Sequence, residues 1–225
     1  MGQLMLVRHG QASWGTDDYD VLSPLGWEQS RLLGEALARR GLKPDLVVHG
    51  DMRRHRETAE AALEGAGWAD VELVVDAGWN EFDHIGMLAR HPTPFGDDEP
   101  TRSQFQEWFE EATARWTGGE YDADYHESFS AFAERIGAAL ERTVGLVGPN
   151  ETGLVFTSGG PVAWSAASLL SGSGSTPGGC AALWSQLNKV VVNSSITKVV
   201  VGGRGQTLVS FNEHSHLEGH GLTYR

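Results

Sequence analysis

Short apolar runs recur along the chain, and most of them are followed by a segment with helical periodicity. Residues 4–7, 46–48 and 154–157 are nearly continuous apolar runs without polar alternation. Such runs predict strands that are buried on both faces, as in parallel sheets. Further strands are predicted at residues 71–75, 190–192, 197–201 and 208–211, and residues 202–205 predict a hairpin between the last two.

The helical segments complete an alternating pattern. An amphipathic helix is predicted to begin at Ser23-Pro24 and to end near Arg40, before Gly41. Further helices are predicted at about residues 53–63 and 128–147 and after Pro161. Strand and helix therefore alternate along most of the chain. This pattern indicates an α/β fold, a three-layer α/β/α sandwich around a mostly parallel mixed sheet.

The alternation is interrupted between about residues 77 and 124. Pro92, Pro94 and Pro100 break this segment, and a helix rich in Trp and Phe is predicted at residues 105–116. We interpret the segment as an inserted helical lid within a single domain of residues 1–225. Several of its aromatic side chains have helical spacing and are expected in the core. The Gly- and Ser-rich residues 171–179 are expected to form a flexible connection, too short to separate two domains.

Charge and cysteine content narrow the possible partners. The 225 residues include 30 acidic and 17 basic side chains, a net charge of −13. This balance argues against nucleic acid or an anionic membrane as a partner. Cys180 is the single cysteine, which excludes an internal disulfide and is compatible with a reducing compartment. Because no signal peptide pattern or apolar stretch of about 20 residues is found, we expect a cytoplasmic protein.

The first strand ends in residues that are suited to phosphate chemistry. Arg8-His9-Gly10 directly follows the apolar run, at the edge of the sheet where α/β proteins place their ligands. A neutral imidazole nitrogen can attack phosphorus and form a covalent intermediate. The guanidinium of Arg8 can bind two phosphoryl oxygens, and Gly10 is expected to let the backbone pass close to a ligand. The alternative is that Arg8 and His9 only cap the strand at the protein surface and have no role in chemistry.

Two further strand ends carry compatible groups. The basic run that begins at Arg53 opens the helix after the second strand, where free backbone N–H groups favour an anion. Within this run we assign Arg54 to the ligand, and we expect Arg53 and Arg56 to lie on a solvated face. Glu81 follows the third strand and can protonate a leaving oxygen.

Together these motifs resemble the histidine phosphatase superfamily, which includes the cofactor-dependent phosphoglycerate mutases. The resemblance covers most of the chain, and the motifs occur in the family's order. The similar segments are residues 6–11, 22–29, 54–59, 79–82, 192–197 and 211–217. The resemblance implies that His9 attacks in line, that Arg8 and Arg54 neutralise the equatorial oxygens, and that Glu81 protonates the leaving alcohol. Water then hydrolyses the phosphohistidine. We expect the second ring nitrogen of His9 to donate to a backbone carbonyl, and the arginines to keep the ring neutral.

The chain departs from the family pattern at three positions. The resemblance implies a second histidine where this chain has Ser158, followed by Gly159. Ser158 and the backbone of the next helix can still donate to a phosphoryl oxygen, although without the charge. Gly15 stands where the family has an asparagine, and Gly50 where a serine is common. The first two changes argue against a mutase in particular.

Other histidines are candidates to fill the place opposite His9. We name His84, which follows Glu81 by three residues, and His216 near the end of the last strand. A structural role is the alternative for both. Together with His214 and His220, His216 would also allow a metal site, but no cysteine or acidic residue stands at a diagnostic spacing, and no metal or cofactor is predicted. Ser158 fits a serine hydrolase elbow poorly, because Phe156 stands where that motif needs glycine.

Three functions therefore remain. The favoured function is hydrolysis of a small phosphomonoester through a phosphohistidine on His9. The second is phosphate binding with little or no turnover, against which the retained Glu81 argues. The third is a phosphotransferase of the phosphoglycerate mutase type. The identity of the small phosphorylated substrate and the oligomeric state are not predicted.

Overall fold

The described residues form a six-stranded mixed sheet. The computed structural model describes residues 1–13, 20–68, 70–95, 100–172 and 175–224. The strands are β1 (Gly2–Arg8), β2 (Leu46–His49), β3 (Leu73–Val75), β4 (Thr152–Thr157), β5 (Ile196–Gly202) and β6 (Gly205–Glu213). Their order across the sheet is β3-β2-β4-β1-β5-β6, and β5 runs in the opposite direction to the other five strands. The predicted mostly parallel mixed sheet is confirmed.

Helices cover both faces of this sheet. They are α1 (Pro24–Arg39), α2 (Arg53–Ala66), α3 (His84–Ala89), α4 (Arg102–Thr117), α5 (Phe129–Leu146), α6 (Gly159–Ser171) and α7 (Pro177–Asn188). Alternate residues of β1 point to opposite sides: Met5 and Val7 pack with α1 and α2, and Leu4 and Leu6 pack with the other helical layer. The predicted three-layer sandwich is therefore confirmed. No helix in the described ranges is both long and apolar enough to cross a bilayer.

The strand register brings three chain segments to one edge of the sheet. Arg8 pairs with Thr157 across β1 and β4, and His49 pairs with Phe156 across β2 and β4. The residues that follow these strands are therefore neighbours. As a result His9, Ser158 and Gly50 lie at the same carboxyl edge, where open α/β sheets bind ligands.

The segment interpreted as a lid contributes to the core as well as to the surface. It contains α3 and α4 and two short 3-10 helices, Ala77–Trp79 and Asp122–Asp124. Phe82 and Trp116 stack at 4.8 Å between ring centroids within a buried aromatic cluster. The cluster also contains Phe129, Phe132, Trp164 and Trp184. Full burial of such a side chain stabilises a fold by roughly 1.5–3 kcal/mol, so the segment is anchored to the domain.

Two predicted elements differ in the structure. Residues 190–192 form no strand, because the side chain of Asn212 takes the hydrogen bonds that a strand partner would supply: it accepts from Val192 N at 2.8 Å and donates to Val190 O at 2.7 Å. The Gly- and Ser-rich connection is shorter than expected. Helix α7 begins within it at Pro177, where the Thr176 hydroxyl accepts from Gly179 N at 3.2 Å.

Candidate active site

His9 is buried at the end of β1 in a defined tautomer. Its side chain is 4% exposed, and its Nδ1 lies 2.7 Å from the carbonyl oxygen of Gly10. Because a carbonyl only accepts, Nδ1 carries the proton and donates it to Gly10 O, as the sequence predicted. The lone pair of Nε2 is therefore available for attack on phosphorus.

The pKa of His9 is held well below its usual value. Burial is the largest cause, because it penalises the charged imidazolium, and the positive charges of Arg54 and Arg8 act in the same direction. The effect of the arginines expected from the sequence is present, but burial contributes more. The neutral form, which a nucleophile requires, is thus the stable form of His9.

A turn before β5 fixes the backbone of His9. The Asn193 side-chain amide donates to His9 O at 3.0 Å, and Ser194 N donates to Arg8 O at 3.0 Å. Ser194 has a φ of 57°, the left-handed region in which non-glycine residues are uncommon. No role of Asn193 or Ser194 was predicted from the sequence. Two polar residues directly after the apolar residues 190–192 are the sequence feature that could have indicated one. The turn is buried and holds the backbone of His9 in place.

Gly10 lies close to helix α1. A Cβ at Gly10 would lie 2.4 Å from the carbonyl oxygen of Gly26 and 2.7 Å from the Ser30 hydroxyl. Because the loop after β1 crosses α1 at close range, packing alone requires glycine here. The expected close approach of the backbone to a ligand stays a prediction.

Arg8 lies beside His9 and is held by two distant chain segments. Its Nη1 donates to the carbonyl oxygens of Val191 and Tyr224, the latter at 2.9 Å. A Cβ at Gly159, the first residue of α6, would lie 3.6 Å from Arg8 Nε. Arg8 thus stands next to the N-terminus of α6, where backbone N–H groups favour an anion.

Arg54 reaches the site from the start of α2. The side chain is almost fully buried, and its Nη1 donates to Asp20 Oδ1 at 2.6 Å. Its backbone carbonyl accepts from the Thr58 hydroxyl at 2.7 Å, which in turn accepts from Gly10 N at 3.0 Å. Arg54 and the His9 loop are therefore tied together. No sequence pattern indicated Asp20, which pairs with Arg54 from a distant part of the chain.

The other arginines of this run lie on the helix surface. Arg53 pairs with Glu57 at 2.7 Å, and Arg56 pairs with Glu60 at 3.7 Å. Both pairs have i,i+4 spacing, and both arginines are exposed, as the sequence interpretation expected, although the Glu57 partner of Arg53 is itself buried.

Glu81 lies against the first turn of α6. Its Oε2 accepts from Gly160 N at 3.3 Å, and a Cβ at Gly160 would lie 2.2 Å from Oε1. Arg135 fixes the loop, because its Nη1 donates to Asn80 O at 2.8 Å. Glu81 and Arg54 line one cleft, together with Asp20, Asn80, Phe82, His84, His126 and Arg135. The carboxyl group is thus placed near the arginine and open to the cleft.

Ser158 is fully buried and contacts a histidine. Its Oγ lies 2.7 Å from Nε2 of His55 and 3.5 Å from Nη2 of Arg54. The His55 ring is 5.8 Å from the His9 ring, measured between centroids. No role of His55 was predicted from the sequence. Its position on the buried face of α2, one turn before Thr58 and Ala59, was the signal that could have found it.

The two histidines named from the sequence lie elsewhere. His84 begins α3 and lines the cleft. Its ring packs edge-on against Phe82, with 6.3 Å between the ring centroids. His216 donates from Nε2 to Ser194 O at 3.0 Å and so supports the turn behind His9. The imidazole beside Ser158 belongs to His55. Gly15, the third departure from the family pattern, lies outside the described residues.

His214 also bonds to the backbone, with Nδ1 2.6 Å from Asn212 O. Among the described residues, no group of three or more His, Cys, Asp or Glu side chains is arranged to hold a metal ion.

Comparison with known proteins identifies a family for the chain. Residues 4–214 match the family model of the histidine phosphatase superfamily (branch 1). A 2,3-bisphosphoglycerate-dependent phosphoglycerate mutase of Sinorhizobium fredii is 36% identical over 90 residues, 37% of this chain and 42% of that protein. The match thus spans less than half the length of that curated relative.

Solved structures share the fold. Phosphoserine phosphatase of Entamoeba histolytica, in complex with phosphoserine, has a TM-score of 0.65 at 21% identity, covering 96% of this chain and 100% of that chain. Mycobacterial glucosyl-3-phosphoglycerate phosphatase has a TM-score of 0.65 at 24% identity, covering 94% and 99%. Because the family model matches residues 4–214 of the 225 residues, the chain belongs to the histidine phosphatase superfamily.

Proposed function

We propose that the protein hydrolyses a small phosphomonoester through a phosphohistidine on His9. The observation that carries the proposal is the state of His9: a buried, neutral imidazole whose Nδ1–H is fixed on Gly10 O. Only Nε2 is then free to attack. Arg8 and Arg54 stand beside it to neutralise charge on the phosphoryl oxygens, the main requirement of such a transfer.

The reaction has two displacements. In the first, Nε2 of His9 forms a bond to phosphorus while the bond to the substrate oxygen breaks, and that oxygen takes the proton of the Glu81 carboxyl group. In the second, water attacks phosphorus and gives a proton to the Glu81 carboxylate, while the P–N bond breaks. Inorganic phosphate leaves and His9 is regenerated.

The charge of the site supports an anionic substrate. Arg54 shares its guanidinium with Asp20, so a bound phosphoryl group competes with that carboxylate for the same donor. The net charge of −13 of the whole chain favours a small ligand over nucleic acid. Structural neighbours named as phosphatases of phosphoserine and glucosyl-3-phosphoglycerate support the same substrate class.

A phosphoglycerate mutase type of transfer is the second candidate, because the matching relative carries that name. The two differ in the acceptor of the phosphoryl group. Hydrolysis releases inorganic phosphate, whereas a mutase returns the group to a second position of the substrate.

The test is a panel of phosphomonoesters, including phosphoserine and 3-phosphoglycerate, assayed for released phosphate and for isomerised product. The wild type and a His91→Ala control, changed between α3 and α4 at a residue that pairs with Glu111 and does not line the cleft, should release phosphate. His9→Ala should release none, and Glu81→Gln should lose roughly 10²–10⁴-fold, most with alkyl esters. Equal rates for His9→Ala and wild type would contradict the proposal.

A further inference from the structure

Ser158 lies within hydrogen-bond distance of two groups in the interior of the site. His55 Nε2 lies 2.7 Å from its Oγ, and Arg54 Nη2 lies 3.5 Å from the same atom. Both His55 and Ser158 have an exposed fraction of 0%. The three side chains therefore form one buried group beside His9.

The position of the His55 proton follows from the other ring nitrogen. His55 Nδ1 is buried and has no hydrogen-bond partner among the described atoms. A buried N–H without an acceptor is rarer than an acceptor without a donor, so the proton belongs on Nε2. Burial and the charge of Arg54 also hold the pKa of His55 well below its usual value, which keeps the ring neutral. Nε2–H then donates to Ser158 Oγ.

Because both groups next to the Ser158 oxygen are donors, the hydroxyl can itself act only as a donor to a third group. A hydroxyl oxygen has two lone pairs, and here one receives the His55 N–H while the other faces the Arg54 guanidinium, which only donates. The hydroxyl hydrogen is then used by neither neighbour and can be donated to a third group, such as an oxygen of a phosphoryl group.

We propose that His55 is a positioning residue that orients the Ser158 hydroxyl as a neutral donor to the phosphoryl group. The inference rests on the proposed function for its ligand. It names a source for the fourth phosphate contact, besides Arg8, Arg54 and the N-terminus of α6. His55 acts through Ser158 and does not itself touch the substrate.

Gly50 is part of the same arrangement. A Cβ at position 50 would lie 2.3 Å from His55 Nδ1 and 2.9 Å from its Cε1. Any other residue there would push the imidazole away from Ser158. The absence of a side chain at position 50 thus provides the space that the His55 ring occupies.

The test compares two amides of different reach. In His55→Gln the amide nitrogen takes the place of Nε2 and keeps the bond to Ser158, whereas in His55→Asn the shorter side chain does not reach. Binding of inorganic phosphate is measured by titration calorimetry, hydrolysis of p-nitrophenyl phosphate by steady-state kinetics, and folding by thermal unfolding. His55→Gln should stay within about threefold of wild type. His55→Asn and Ser158→Ala should each lose about tenfold in phosphate affinity, the equivalent of one hydrogen bond.

The double variant decides whether the two residues act together. His55→Asn/Ser158→Ala should bind phosphate no more weakly than Ser158→Ala alone, because both changes remove the same donor. Three results would overturn the inference. The first is a loss of phosphate affinity in the double variant that equals the product of the two single losses. The others are equal affinities of His55→Gln and His55→Asn, or a wild type that binds no phosphate. If the wild type binds phosphate but its hydrolysis does not depend on His9, the proposed function is contradicted. The phosphate affinities of the His55 and Ser158 variants then still test the role of His55. If His55→Asn does not fold, undiminished phosphate binding by Ser158→Ala overturns the inference.

Discussion

At the scale of the residue, the proposed chemistry depends on how His9 is kept neutral. The sequence placed an imidazole between two arginines, and this is enough to predict repulsion of a second positive charge. It could not show that the ring is 4% exposed or that Gly10 O receives its Nδ1 proton. Burial is a property of the packed domain, so the larger cause of the low pKa became visible only in the structure.

His9 should titrate below pH 6.5 in the folded protein, because burial and the neighbouring arginines disfavour its charged form. Long-range ¹H–¹⁵N NMR of the imidazoles measures this directly, with His9→Asn to assign the signals. At pH 7 the spectrum should show Nδ1 protonated and Nε2 bare. Titration at or above pH 6.5, or a proton on Nε2, would contradict the account of the nucleophile.

At the scale of the element, the site is built where two helices begin. Helix α2 supplies Arg54 and His55, and α6 follows Ser158. Periodicity predicted both helices and the start of α2, and so located Arg54. It could not locate Asp20 or Asn193, because their contacts join segments far apart in sequence. The Val190–Val192 stretch illustrates the same limit, since Asn212 replaced its expected strand partner.

The start of α6 gives a prediction about the acid. Gly160→Ala would place a methyl group 2.2 Å from Glu81 Oε1 and 2.9 Å from a ring carbon of Phe82. The carboxyl group must then move, and kcat should fall by at least tenfold, while a helical alanine limits the loss of stability. Steady-state kinetics checks this.

In a Glu81→Gln background, Gly160→Ala should cost little further activity, because the acid is already absent. A loss of the same size in both backgrounds would show that Gly160 acts on something other than Glu81.

At the scale of the whole molecule, the sheet order assembles the site. β4 lies between β1 and β2, so residues far apart in sequence share one edge of the sheet: Gly50 is 41 residues and Ser158 is 149 residues from His9. The strands and layers followed from apolar runs, but the order β3-β2-β4-β1-β5-β6 was not contained in any local pattern. For this reason the sequence named His84 and His216 as partners for His9, whereas the fold brings His55 to Ser158.

The buried histidines should make the fold sensitive to acid. The pKa of His216 is lowered to about 4, mainly by burial, so the unfolded chain binds the proton first as the pH falls. Its stabilising contribution is complete above about pH 6.5 and is lost between there and about pH 4, up to roughly 3 kcal/mol. His9 and His55 act in the same direction.

Urea unfolding of the wild type and His216→Gln between pH 7.5 and 4.5 measures this contribution. The amide of glutamine can keep the donor to Ser194 O but does not titrate. The variant should therefore lose less stability on acidification than the wild type. Parallel curves would show that His216 is not responsible.

The central claim is that His9 carries the phosphoryl group, and rapid acid-free quenching of turnover tests it most directly. Enzyme mixed with ³²P-labelled substrate is denatured in alkali within milliseconds, and the label is mapped by peptide mass spectrometry. The account predicts an alkali-stable, acid-labile phosphoryl group on the peptide that contains His9, and none in His9→Ala. Label on Ser158, or turnover by His9→Ala at the wild-type rate, would contradict it.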